Sequence, residues 1–250
     1  MVEKYEGIVI RTTDYGESNK IVTIYSREAG KIAGMARGAK KTNSRLASPT
    51  QLFTYGYFMI HGNRGIGTLQ QAELISSLKG IREDIFKTAY ASYILELIDK
   101  GTGEKERNPF LFELLRQTLQ YINDDYDPDI VTNIFEMKML NVLGLYPEMN
   151  QCAICGNTEA QFGFSIKENG LICHQCFDKD PHFFPLSQTT VKLLRLFYFF
   201  DINRLGSISV KPETKKELKE IISLYYDEFS GLQLKSKRFL DQLDKFKGYI

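Results

Sequence analysis

The chain has 250 residues, a formal net charge of +1, 43% hydrophobic side chains and 25% charged ones. That composition supports two or three small domains with real cores. The start, MVEKYEGIVIRTTDYG, has no long apolar run of a signal peptide, and no stretch approaches the roughly 20 apolar residues of a membrane helix. The expected location is therefore the cytoplasm.

The charges are unevenly spread. Residues 1–80 carry eleven Lys and Arg against six Asp and Glu, whereas residues 81–150 carry seven against thirteen. Residues 151–250 carry fourteen against twelve. A basic first module followed by an acidic middle can put a nucleic-acid surface on one module and keep the other off the phosphates.

Within residues 1–80, YEGIVIRT, KIVTIYS, GKIAGMARG, LFTYGYFMIHG and GTLQQAELI read as five short strands separated by turn signals. Glu28-Ala29-Gly30 predicts a hairpin, Asp14-Tyr15-Gly16 a turn, and Gly34 a bulge or sharp bend. The pattern suits an OB-type barrel, with an SH3-like barrel or a sandwich as alternatives. Arg37, Lys40, Lys41 and Arg45 crowd a Gly/Ser/Asn-rich segment without an acid nearby, and Arg27 and Lys31 add charge upstream. Such a loop can wrap phosphates through salt-sensitive contacts. A solvated basic loop without a ligand is the bland alternative. Tyr25, Tyr55, Tyr57 and Phe58 offer stacking surfaces in principle, but a small barrel needs most of them inside.

Helical spacing takes over at residue 81. IREDIFKTAYASYILELIDKG reads as one helix ending at Gly101. Asn108-Pro109 marks the start of a second, and Pro128 opens a third that stops at Gly144. The acids Asp124, Asp125, Asp127 and Asp129 lack the glycine and the terminal glutamate of a calcium loop and read as a solvated interhelical turn.

All four cysteines fall in residues 152–176, CAICGNTEAQFGFSIKENGLICHQC. Cys152/Cys155 and Cys173/Cys176 are two C-x-x-C pairs separated by seventeen residues. Two such turns facing each other supply a tetrahedral four-sulfur site, which suits one zinc ion. A disulfide pair or an iron–sulfur centre fits less well. A closed sulfur shell leaves no open position, so the metal reads as structural. His174 is a solvated neighbour, and Asn169-Gly170 turns a small hairpin between the pairs. With little local core, the thiols would depend on the metal to hold them.

Beyond the cysteines, a helix follows Ser187, another runs through KPETKKELKEIISLYYDEFSG, and a short basic helix contains Lys235, Lys237 and Arg238. No phosphate-binding loop, H-E-x-x-H, G-x-S-x-G or zinc-deaminase pattern occurs, which favours a binding protein over an enzyme. The segments divide as 1–80 barrel, 81–150 first helical part, 151–180 metal module and 181–250 second helical part. The fold class is multidomain α+β: a small antiparallel OB-type barrel, then an α-helical domain with an inserted four-cysteine zinc module.

The stretch YEGIVIRTTDYGESNKIVTIYSREAGKIAGMARGAKKTNSR, the TLQQAELI end of the first module and the junction LGLYPEMNQCAICG together resemble the RecO family of bacterial DNA repair and recombination proteins. The resemblance covers nearly the whole chain. It implies an N-terminal OB fold, a helical domain and, in many members, a four-cysteine zinc module matched here by Cys152, Cys155, Cys173 and Cys176. It also implies binding of single- and double-stranded DNA, annealing of complementary strands and help in loading RecA onto DNA coated by single-stranded-DNA-binding protein. The implied partners are RecR and the acidic C-terminal tail of that coating protein, and nucleoid association during repair follows. Residues 37, 40, 41 and 45 match the family's positively charged OB region. The rival reading is a zinc-stapled structural adaptor that contacts proteins but not DNA, with a metal-dependent nuclease more distant.

Overall fold

The structure is a computed structural model that describes residues 1–62, 65–199, 201–206 and 208–247. The chain divides into two compact units, one of residues 1–126 with 234–250 and one of residues 127–233.

The first unit begins with five strands: β1 (Val2–Tyr15), β2 (Asn19–Ser26), β3 (Gly30–Ala36), β4 (Tyr55–His61) and β5 (Gly67–Ser76). They close into a barrel in the order β1-β2-β3-β5-β4, the OB arrangement. Alternation along each strand turns Val9, Val22, Ile24, Ile32, Phe58, Ile60 and Leu69 into one core. The seam that closes the barrel is a parallel ladder, Gly34↔Gly67 and Met35↔Thr68, so the barrel is not antiparallel throughout. Gly34 is not a bulge, because β2 and β3 pair in unbroken register past it. The register shifts lie in β1 between Val9 and Arg11 and in the β4–β5 ladder. Gly34 instead sits against Ile60 and Leu69, where an added Cβ would lie 3.4 Å from Ile60 Cδ1.

The β2–β3 hairpin fixes a prediction of its own. Gly30 has φ +65, and a Cβ there would lie 2.0 Å from the backbone oxygen of Glu106. The 102–107 loop runs along β3 at this point, with Lys105 N–H donating to Lys31 O at 2.9 Å. A Gly30→Ala chain therefore meets both left-handed strain and a backbone collision. Its expected loss is more than about 2 kcal/mol. A shift in the urea midpoint at unchanged m-value checks this, and an unaltered midpoint contradicts it.

Three helices follow: α1 (Lys79–Glu83), α2 (Ile85–Gly101) and α3 (Pro109–Asn123). The single helix expected over residues 81–101 is thus broken at Asp84. Its backbone is extended, and its carboxylate accepts from Phe86 N–H at 2.7 Å and Lys87 N–H at 3.0 Å. Aspartate satisfies two otherwise orphaned donors this way, which outweighs one more turn of helical period. Asn108 caps α3 by accepting from Leu111 N–H, with Pro109 at the first helical position. The last helix of the chain returns to this unit, and Ser236 near its start donates from its backbone to Glu96 at 2.8 Å.

The second unit starts with α4 (Pro128–Val142), capped by Asp127. Every residue from Ile130 to Leu140 is buried, so this helix is the unit's axis. The acidic turn before it makes ordinary partnerships: Lys215 pairs with Asp127 and Asp129. Next come the hairpin strands β6 (Phe162–Ser165) and β7 (Gly170–Cys173), the short strand β8 (Phe184–Pro185), α5 (Gln188–Phe199) and α6 (Pro212–Phe229). The final helix, α7 (Lys235–Lys247), belongs to the first unit. Asn169, φ +49, makes the hairpin turn and accepts from Tyr225 Oη at 2.6 Å. Both hairpin strands are buried along their whole length, and Phe164 packs edge-on to Tyr225. The cysteine segment therefore has more apolar anchorage than its sequence implies.

Candidate metal centre and nucleic-acid interface

The first C-x-x-C pair is folded as a knuckle. Gly156, φ +73, donates its N–H to Cys152 O at 2.9 Å, and Cys152 N–H donates to Asn157 O at 2.8 Å. Ala153 N–H donates to Leu171 O at 2.7 Å, which pins the knuckle onto β7. Cys173 ends β7, and Cys176 lies in the short 3-10 helix His174–Lys179 that follows. All four Sγ atoms lie within 4.8 Å of one another. Regular tetrahedral coordination at a metal–sulfur distance of about 2.3 Å sets sulfurs about 3.8 Å apart, so the four donors fit one ion.

No disulfide forms: all four cysteines are free, and Cys155 Sγ stands 3.5 Å from Cys173 Sγ, far beyond a bonded pair. Burial raises the Cys152 thiol, but backbone N–H groups of Cys155, Cys173 and Ile154 overcome that and bring it down to about 6. Burial and the neighbouring sulfurs push Cys176 up to about 12. Four crowded thiols resist ionising together, and a shared cation removes that conflict. His174 is exposed and stands outside the sulfur cluster; its backbone N–H donates to Gln161 O.

The basic residues do not share one fate. Arg37, Lys40, Lys41 and Arg45 are exposed on the loop between β3 and β4. Lys40 reaches Asp14 at 2.7 Å. Arg27 is committed elsewhere: Nε and Nη2 bond Glu6 at 2.8 and 3.2 Å, Nη2 bonds Glu113 at 3.1 Å, and the guanidinium lies 4.5 Å over the Phe112 ring. Its hydrogen bond to Glu6 holds it above the ordinary arginine value. Partial burial raises Glu6, yet hydrogen bonds from Arg27 and Tyr55 leave it below the usual carboxylate range.

Lys31 is only 7% exposed. Its ammonium donates to the carbonyls of Asp99 and Thr102, both at 2.7 Å, and Asp99 and Glu104 carboxylates lie 3.7 and 3.9 Å away. Stripping a buried ammonium of such partners costs about 3 kcal/mol or more. One phosphate contact returns about 1 kcal/mol at 0.1 M salt. Lys31 therefore stays with its intramolecular partners.

Sequence reading did not single out the neighbours that the fold adds. The β1–β2 hairpin tip grips the basic loop: Lys40 N–H donates to Ser18 O at 3.0 Å and Gly38 N–H to Asn19 Oδ1 at 2.8 Å. Asp14, Ser18 and Asn19 are thus tied directly to the Arg37–Lys41 segment. The only sequence signal was the Asp14-Tyr15-Gly16 turn, which gives no hint of what it touches.

The family description "Recombination protein O N terminal" matches residues 1–78, and "Recombination protein O C terminal" matches residues 82–238. The chain belongs to the RecO family. It is 58% identical over 247 residues to the DNA repair protein RecO of Bacillus subtilis (strain 168), covering 99% of this chain and 97% of that one. It is also 58% identical over 249 residues to DNA repair protein RecO of Listeria monocytogenes serotype 4b, covering 100% and 98%. The RecO of Halalkalibacterium halodurans is 58% identical over 244 residues, covering 98% and 96%. The two RecO matches meet in α1, at the end of the barrel, and the four-sulfur cluster lies inside the C-terminal match.

Proposed function

We propose that this chain is a non-enzymatic recombination mediator in DNA repair. It binds single- and double-stranded DNA, anneals complementary strands and helps load RecA onto DNA coated by single-stranded-DNA-binding protein. The observation that carries this reading is identity of 58% to DNA repair proteins named RecO along essentially the whole chain. Physically, the work falls to the barrel's basic loop. Arg37, Lys40, Lys41 and Arg45 neutralise backbone phosphates without reading bases. Neutralised strands repel each other less, which lets two complementary strands pair. RecR and the acidic tail of the coating protein are the protein partners in this scheme. The ion held by Cys152, Cys155, Cys173 and Cys176 is zinc, in a structural role, because a closed thiolate shell suits it and leaves no site for substrate. No described helix is long and apolar enough to cross a membrane; the proposed setting is the cytoplasm, at the nucleoid during repair.

Annealing of complementary strands coated with single-stranded-DNA-binding protein tests the reading. The expected result is acceleration by this chain, changed further by added RecR. Pairing at the spontaneous rate under both conditions, with no DNA bound at modest salt, would instead fit a protein adaptor.

A further inference from the structure

Tyr15 is a large aromatic left in water, 54% exposed at the end of β1. In the antiparallel ladder it stands opposite Asn19. Cross-strand partners share a face of the sheet. Asn19 is the residue whose carboxamide holds the Gly38 amide at 2.8 Å, between Arg37 and Lys40 in sequence. Tyr15 therefore lies on the face from which Asn19 fastens the loop at Gly38, one strand position beyond Asp14, the partner of Lys40. The other aromatics of the barrel are spoken for. Tyr25 and Phe58 are fully buried, Tyr5 packs against the core and donates to Glu3, Tyr55 donates to Glu6, and Tyr57 has the Lys4 ammonium 3.9 Å over its ring. Tyr15 has no ring or cation contact among the described residues.

We propose that Tyr15 is a stacking platform for one base of single-stranded nucleic acid, while Arg37, Lys40 and Lys41 neutralise the adjoining phosphates. This rests on the reading that the basic loop binds DNA, and it adds a source of strand selectivity. A flat aromatic accepts any unpaired base, whereas a base within a duplex is already covered on both faces. Lysines and arginines alone would serve both forms through charge.

The test uses the full chain. Tyr15→Ala is expected to weaken binding of an oligothymidylate by about tenfold, to leave duplex affinity unchanged and to keep the salt slope, since no charge is lost. Tyr15→Phe retains wild-type affinity. The chain contains no tryptophan, so Tyr15→Trp makes a single reporter whose emission is quenched by the oligothymidylate and not by duplex. Unchanged oligothymidylate affinity in Tyr15→Ala, or an unquenched Trp in a saturated complex, overturns the proposal. The Arg37/Lys40/Lys41 triple-alanine chain separates two failures. If it weakens binding while Tyr15→Ala does not, the stacking platform alone falls. If neither changes binding, the basic loop falls with it.

Discussion

Cys176→Ala is expected to lose its metal and to lower the thermal midpoint of unfolding by on the order of 10 °C. Three sulfurs cannot close the shell, and the buried Cys152 and Cys173 would be left as crowded groups around a gap. Cys152→Ala should behave alike, since its Sγ also accepts the Cys173 N–H at 3.3 Å. The loss is bounded from above by the hairpin. Phe162, Phe164, Leu171 and Ile172 are buried without reference to the metal, and Tyr225 holds the Asn169 turn. The knuckles should therefore loosen while the hairpin stays docked on α6. Atomic emission for metal content and a thermal melt together check this. Full metal content in either variant would refute the four-sulfur ligand set.

Replacing Arg37, Lys40 and Lys41 together with alanine is expected to weaken single-strand binding by on the order of 100-fold at 0.1 M salt. Each phosphate contact on a single strand contributes about 0.7 to the salt slope, and so about 0.7 log units of affinity at that concentration. Lys40 contributes the least of the three, because Asp14 competes for its ammonium. All three side chains are exposed, so stability should hold. Substituting Arg27 or Lys31 is a different experiment. Those side chains brace the barrel, and their loss would mix unfolding with any effect on DNA.

Local signals carried far in this chain. Five strands were visible from their β-branched and aromatic runs. Asn108-Pro109, Pro128 and Asn169-Gly170 marked true starts and turns, because capping and turn chemistry act within three or four residues. The four sulfurs were legible because two spacings of two constrain geometry tightly. What stayed hidden depends on distant partners. Lys31 finds its carbonyl acceptors 68 and 71 residues on, and Arg27 meets Glu113 86 residues on. Nothing within residues 27–31 announces that these charges are consumed. The parallel seam between Gly34 and Gly67 is likewise a non-local pairing, which the residues around Gly34 do not announce. Asp84 shows the opposite limit: two local rules competed, and the cap prevailed over the period.

In the proposed function the basic loop of the barrel holds DNA, and the four-cysteine site serves only the stability of its own unit. A salt titration of oligothymidylate binding, comparing the wild-type chain with the Arg37/Lys40/Lys41 triple-alanine variant, tests that division directly. The variant should retain metal content and thermal midpoint while the magnitude of its log–log salt slope falls by about 2. An unchanged slope and unchanged affinity would contradict the account.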